Sequence, residues 1–403
     1  MSNSTQNSFQ IVTGSPPETL RQQPPLAAFS EQALSLLHAL SENLLKRPEY
    51  KPHPNLTALG FWLRPASLQK MANEFSSVPP GHQQYPAGLA FHLTPANVDN
   101  LFVYSWAISL LCGNNNIIRL SSKESEERQQ LLTLLNELLR ETRHSDIFKR
   151  TAIVSYGHAD ETTIALSAMA SRRILWGSNE TIAHLRSLPI PPLCQDIVFP
   201  DRRSVALFSA AAVLQTETLD DFLEAFYRDT YGFNQIACSS PRLVLWLKDD
   251  DITKARERFW NAFAKCVSKK MPQVTPAVLM DKQVAMQTMA MTADLKIRAM
   301  PDARLQVIEL DNPNPQIEAE HPGGGLLLDG AVDELTSIHE WLQGQHQTVT
   351  YWGVDASNLN QVVSNSTIPL ADRIVPAGQA LNFSPVWDGM YLFERLSRLV
   401  QLA

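Results

Sequence analysis

What this chain has little of narrows its chemistry before any motif is read. Only four cysteines occur in 403 residues, at Cys112, Cys194, Cys238 and Cys266. No two form a Cys-x-x-Cys pair, and none stands at metal-ligand spacing from a histidine. This argues against a disulfide framework and a structural zinc, and reduced thiols fit a cytoplasmic setting. Basic residues do not prevail: 34 Lys and Arg against 41 Asp and Glu leave a formal net charge of −7. Neither nucleic acid nor an anionic membrane surface is therefore expected as a partner. Long apolar runs are missing. The longest, Leu101 to Cys112, carries Ser105 and Ser109 and is too short to span a bilayer. The opening MSNSTQNSFQIVTGSPPETLRQQPP has no basic n-region and no apolar core, which reads against a signal peptide. Also absent is Gly-x-Gly-x-x-Gly, the usual dinucleotide fingerprint.

What is there reads as an ordinary globular protein, 44% hydrophobic and 19% charged, long enough for two or three domains. Residues 1–28, rich in Ser, Gln and Pro, read as a tail or clasp. Ser30 can cap a helix whose apolar face is Ala33, Leu37, Leu40 and Leu44. Strand and helix then alternate: a strand over 88–94 ending at Pro95, a helix over 97–111, a strand over 116–120, and a long helix over 123–144. A strand over 152–155, a helix over 161–170, a strand over 174–176 and a helix over 179–188 complete the first half. This alternation predicts an α/β fold with mostly parallel strands and helices on both faces. Pro189–Pro192, followed by Pro200-Asp201-Arg202-Arg203, marks a domain boundary. A second alternating region begins with a strand over 204–208 and runs to about Val354, with helices over 219–231 and 252–269. The stretch 312–325, with three prolines and Gly323-Gly324-Gly325, reads as a loop.

Among groups able to do chemistry, Cys238 stands out. A cysteine is ordinarily a small buried hydrophobe, and Cys112, Cys194 and Cys266 fit that reading. Cys238 instead falls between a helix with its turn and the apolar strand Pro241–Trp246. Such a junction exposes a sulfur while the scaffold fixes it. Asn97 could simply cap the helix after Pro95, and Ser178 the helix after Gly177. Helix-start amides at Gly177-Ser178 also suit a pyrophosphate. His92 reads as a structural strand residue.

Five motifs in order carry a resemblance. They are His92-Leu93-Thr94-Pro95-Ala96-Asn97, Ile174–Thr181, Phe199-Pro200-Asp201-Arg202, Tyr227–Pro241 and Phe383–Gly389. Asn234-Gln235-Ile236-Ala237-Cys238 resembles the nucleophile segment of the aldehyde dehydrogenase superfamily. The set as a whole, from about residue 30 to the C-terminus, is similar to the LuxC-type fatty acyl-CoA reductases. The resemblance implies an aldehyde dehydrogenase-like fold: two Rossmann-like α/β domains with an active site in the cleft between them. It divides the chain into a polar tail (1–28), a nicotinamide-cofactor domain (29–200), a catalytic domain with the cysteine (201–375) and a C-terminal segment (376–403). That last segment is expected to pack back or to lie at an oligomer interface.

The resemblance also implies roles. Cys238 is the nucleophile, and Asn97 with the Cys238 N–H forms an oxyanion hole. Arg119, Ser121 and Ser122 lie at the adenosine ribose, Gly177 and Ser178 at the pyrophosphate, and Glu320 or Glu318 at the nicotinamide ribose. Where many NAD-preferring members carry a glutamate, Ser122 stands here. With Arg119 and Lys123 close by, this points to NADPH, while Glu124 leaves NADH open. The family's water-activating glutamate has no counterpart in Ile197–Arg202, so hydrolysis of an acyl-enzyme should be poor. Asp201 or Arg202 could orient a substrate, but a structural ion pair at the domain boundary is the favoured reading. Phe102, Trp106, Phe226, Tyr227, Phe233 and Trp387 could line an acyl pocket, although aromatics at such spacings are ordinarily core. The expected activity is acyl-CoA reduction to an aldehyde through a cysteine-linked acyl group. The expected partners are an acyl-CoA or carrier-bound thioester, an acyl-transferring synthetase and further copies of the chain. The rival readings are a hydrolysing aldehyde dehydrogenase and a non-catalytic scaffold subunit.

Overall fold

The computed structural model describes residues 9–76, 78–95, 100–121, 125–249, 251–271, 273–342 and 344–402. They form two compact units, residues 1–201 with 383–403, and residues 202–382.

The first unit is built on six strands: β1 (Gln10–Gly14), β2 (Leu89–Leu93), β3 (Asn115–Leu120), β4 (Thr151–Ser155), β5 (Arg172–Trp176) and β6 (Gln195–Phe199). Their spatial order is β1-β4-β3-β2-β5-β6. β2 to β6 are mutually parallel, and β1 runs antiparallel along the β4 edge. Taken in chain order, the five parallel strands lie third, second, first, fourth, fifth. This is the order of a doubly wound sheet, and its switch point falls between β2 and β5. Such strands are covered on both faces and so read as continuous apolar runs. Every residue of β2 and of β5 is buried. Alternate side chains feed opposite cores: Ile118 and Leu120 join one, Ile117 the other. Each aliphatic side chain so buried contributes about 1.5–3 kcal/mol.

Charge inside this sheet is matched by register. Arg173 on β5 stands opposite Asp196 on β6 and donates to both carboxylate oxygens at 2.8 Å. His92 is buried in β2. Asn116 Oδ1 can only accept, so the ring donates to it from Nε2 (3.0 Å) and accepts from Ser105 at Nδ1 (2.7 Å). Burial pushes this neutral ring down to about 4.

The Ser/Gln/Pro-rich start is tied to the same unit. β1 pairs with β4, Asn115 Nδ2 donates to Leu20 O (2.9 Å) and Gln23 O (2.8 Å), and Arg150 Nε to Pro24 O (2.9 Å). Ser30 caps the helix Glu31–Lys46, accepting from Ala33 N. The last residues also return here. Strand Ser397–Gln401 pairs antiparallel with His82–Pro86, and Arg172 Nε donates to Arg395 O at 2.9 Å.

Two expectations are corrected. The helix expected over 123–144 spans Glu126–Leu139, followed by a 3-10 turn, Thr142–His144, and a single turn, Ser145–Phe148. The break is held by His144, whose buried Nδ1 contacts Leu138 O at 2.7 Å and satisfies a carbonyl of the last turn. The stretch 312–325 is not all loop, for it contains the helix Pro315–Ala319. Asn314 caps it and proline takes its first position, the usual N-terminal arrangement.

The second unit holds β7 (Arg203–Ser209), β8 (Pro241–Leu247), β9 (Lys296–Arg298), β10 (Gln306–Glu309), β11 (Leu326–Val332), β12 (His346–Trp352) and β13 (Arg373–Pro376), ordered β9-β10-β11-β8-β7-β12-β13. All but β9 are parallel. One face packs Ala206, Phe208, Val244 and Trp246 against the helices Asp220–Tyr231 and Ile252–Lys270, and the other buries Val205, Leu207, Leu243 and Leu245. Because β7, β8, β11 and β12 are parallel, their first residues share one edge of the sheet.

Candidate active site

That edge carries Cys238. The helix Asp220–Tyr231 ends at Gly232, and the chain then turns through Phe233, Asn234 and Gln235 with φ of 49°, 53° and 64°. Three consecutive left-handed residues, none of them glycine, are costly, and such strain persists only where neighbours over-determine it. The neighbours do so here. Fully buried Gln235 donates from Nε2 to Pro241 O and Leu326 O, both at 2.9 Å, and accepts from Gly325 N at 2.8 Å. One amide thus ties the starts of β8 and β11 to the turn. Gly324 N donates to Asn234 O at 3.0 Å. Ser240 N donates to Ala237 O at 2.9 Å, closing the turn into β8. Cys238 is half-buried, whereas Ser239 and Ser240 are buried.

The opposing wall is Gly323-Gly324-Gly325, with φ of 81°, 64° and 83°. A Cβ on Gly323 would lie 3.0 Å from Asn234 O, and one on Gly325 would collide with Arg304 O and the Tyr231 hydroxyl. Only glycine lets this backbone approach the cysteine turn. His321 shapes the loop. It donates from Nε2 to Leu326 O (2.6 Å) and accepts from Gly323 N at Nδ1 (3.1 Å), a pattern only the neutral ring can make. Burial first, and the charge of Arg242 second, push it down to about 3. Between its ordinary value near 6.5 and that value, the unfolded chain takes up a proton that the folded chain refuses. Stability therefore falls as pH drops through this window and is unaffected by this group above it. From His321 alone we expect a loss of about 2 kcal/mol between pH 7 and pH 5. Urea unfolding at both pH values should show that difference shrinking in His321→Asn.

Beside the turn, Ser204 Oγ donates to Cys238 O at 2.7 Å and accepts from Thr348 N at 3.2 Å. At the same edge Glu318 is buried, 3.1 Å from His346 Nε2 and 3.6 Å from Arg203 Nη1. Glu320, by contrast, ends the helix Pro315–Ala319 and is exposed. Of the two glutamates, the one chosen from sequence lies in solvent and the other is engaged with two partners.

In the first unit, Arg119 and Ser121 stand at the C-terminal end of β3. Arg119 donates to Tyr156 O (3.1 Å) and lies over the Tyr156 ring, while its buried Nε has no hydrogen-bond partner among the described residues. Ser121 accepts from Arg128 Nη1 at 3.0 Å. Gly177 and Ser178 follow β5 at the switch point, where ligands of open α/β sheets bind. Ser178 caps the helix Asn179–Ser187. The amide of Asn179 is already held by Asp201 Oδ2 at 3.0 Å, and a carboxylate there competes with a pyrophosphate. Arg202 forms a structural ion pair, with Asp372. Asn97 and Ser122 lie outside the described residues.

Of the aromatics expected to line an acyl pocket, Phe102, Trp106, Phe226 and Trp387 are buried core and Tyr227 packs against that core, while Phe233 belongs to the strained turn. Sequence reasoning missed Ser204, His321, the Glu318–His346 pair and the bridging role of the Gln235 side chain. Among the described residues no group of three His, Cys, Asp or Glu could hold a metal ion, and no helix is long and apolar enough to cross a membrane.

The two mostly parallel sheets are those of an aldehyde dehydrogenase fold. An NAD-dependent aldehyde dehydrogenase from Sinorhizobium meliloti superposes with a TM-score of 0.70 at 13% identity, covering 95% of this chain and 85% of that one. An aldehyde dehydrogenase mutant from Bacillus cereus gives 0.67 at 10% identity, covering 96% and 88%. An NAD-dependent benzaldehyde dehydrogenase from Corynebacterium glutamicum gives 0.63 at 13%, covering 94% and 86%. No curated protein matches the chain by sequence. Within this fold the chain belongs to the acyl-CoA reductase (LuxC) family, whose model matches residues 68–399. Membership makes it an oxidoreductase of the acyl-CoA reductase and aldehyde dehydrogenase type.

Proposed function

We propose that the protein accepts an acyl group from an acyl-CoA onto Cys238 and releases it as an aldehyde, with NADPH preferred over NADH. The observation that carries this reading is the half-buried Cys238 on a strained turn locked by Gln235 and Ser204, in a chain of the acyl-CoA reductase family. Cys238, as thiolate, attacks the thioester carbonyl. A new S–C bond forms, the bond to the coenzyme sulfur breaks, and that sulfur leaves and takes a proton from water. The Cys238 N–H and the Asn97 amide hold the oxyanion. A nicotinamide cofactor, when bound, supplies hydride. Two of the structural neighbours are named as NAD-dependent, which supports a nicotinamide cofactor. Arg119, whose Nε has no partner among the described residues, Ser121 and Ser122 would take its adenosine end, Gly177 and Ser178 its phosphates, and Glu320 its nicotinamide ribose. The stretch Ile197–Arg202 offers no glutamate to activate water, so the acyl-enzyme persists instead of hydrolysing.

Intact mass spectrometry after mixing with acyl-CoAs of several chain lengths tests this. The expected result is one added acyl mass, mapped by proteolysis to the peptide bearing Cys238 and discharged as aldehyde on adding NADPH. Release as carboxylate would establish the hydrolysing rival. No adduct with any thioester, with cofactor still bound, would establish a scaffold subunit.

A further inference from the structure

We infer that Ser204 is a positioning residue for Cys238, an assignment that rests on the nucleophilic role proposed above. Ser204 is the second residue of β7, after Arg203, and only 1% of it is exposed. Its hydroxyl has one proton to give, and it gives it to Cys238 O at 2.7 Å. The same oxygen accepts from Thr348 N on β12 at 3.2 Å, which orients that proton toward the cysteine carbonyl. Holding this carbonyl fixes the peptide plane on the C-terminal side of Cys238. The angle at which its Cα–Cβ bond leaves the backbone is thereby fixed as well. On the N-terminal side Gln235 does the corresponding work through β8 and β11. The cysteine therefore sits between two buried clamps, one from each side of the sheet edge, and Ser204 is the one bonded to Cys238 itself. A thiolate must meet a carbonyl carbon along a narrow approach, and small misplacement of a reacting group costs about a hundredfold in rate.

The test is single-turnover acyl transfer and steady-state kinetics on Ser204→Ala, with Cys238→Ala run alongside and thermal melts on all. We expect Ser204→Ala to lose about ten- to a hundredfold in acyl-transfer rate and kcat, with KM within about twofold, at temperatures where it is fully folded. A purely structural serine would lower activity only in proportion to folded protein, leaving kcat per folded molecule unchanged, and that result would overturn the assignment. If Ser204→Ala does not fold, Ser204→Cys keeps the size and weakens the donor. A fall in its kcat per folded molecule supports the assignment, and a wild-type value overturns it. If Cys238→Ala is inert while Ser204→Ala is unimpaired, only the role of Ser204 fails. If Cys238→Ala is as active as wild type, the nucleophile reading fails first.

Discussion

Cys238→Ala is expected to form aldehyde from an acyl-CoA at least about a thousandfold more slowly than the wild type, because removing a nucleophile leaves only binding and oxyanion stabilisation. Its melting temperature should barely move. Cys238 is half-buried and its Sγ is a small group, so truncation to alanine removes little buried volume. The bond from Ser204 goes to the backbone carbonyl, which alanine retains. Cofactor oxidation followed by absorbance, with a melt on the same sample, separates chemistry from folding. Retention of a tenth or more of the wild-type rate would mean that another group carries the acyl chain.

A second substitution should strike stability and activity together. Gln235→Met keeps the length and shape of the side chain but removes its hydrogen bonds. Pro241 O, Leu326 O and Gly325 N then lose the partners they have at 2.8–2.9 Å. Each buried polar group so abandoned costs about 1–3 kcal/mol, so we expect a total of roughly 3–5 kcal/mol, softened at Leu326 O by its second partner, His321 Nε2. The left-handed run Phe233–Gln235 also loses the constraint that sustains it. Urea denaturation should show a clear drop in midpoint, and acyl transfer should fall even in dilute conditions where the variant is folded. A variant as stable as wild type would show that the turn is held by its glycine loop alone.

The parallel architecture was legible because both sheets announce themselves in apolar runs separated by helical repeats. β2, β5, β7 and β8 all fell where such runs predict strands. Helix ends fared worse. The stop at Leu139 depends on His144 folding back onto Leu138 O, a contact with no local signature. The helix Pro315–Ala319 did carry a signature, Asn314-Pro315, but proline there also reads as a loop. At the site, the cysteine could be picked out because a thiol between a turn and an apolar strand is unusual. The groups that hold it could not. Ser204 lies 34 residues before Cys238, and Leu326 lies 91 after Gln235. They meet only because parallel strands bring their starting residues to one edge. Glu318 and Glu320 illustrate the same limit. Two positions apart in sequence, one is buried against His346 and the other faces water, a difference decided by one turn of a short helix.

The C-terminal return has a bearing on how the chain matures. Tyr104 is bonded to Ser384 O, Asn114 to Leu396 O and Arg172 to Arg395 O, all partners from the final twenty residues. A ribosome delivers residues at about 5–20 per second, N-terminal end first. Residues 202–382 therefore emerge complete and can close their own sheet while the unit that began first still waits for its last pieces. The part made second is finished first, and the earlier strands must be kept from straying until the tail arrives.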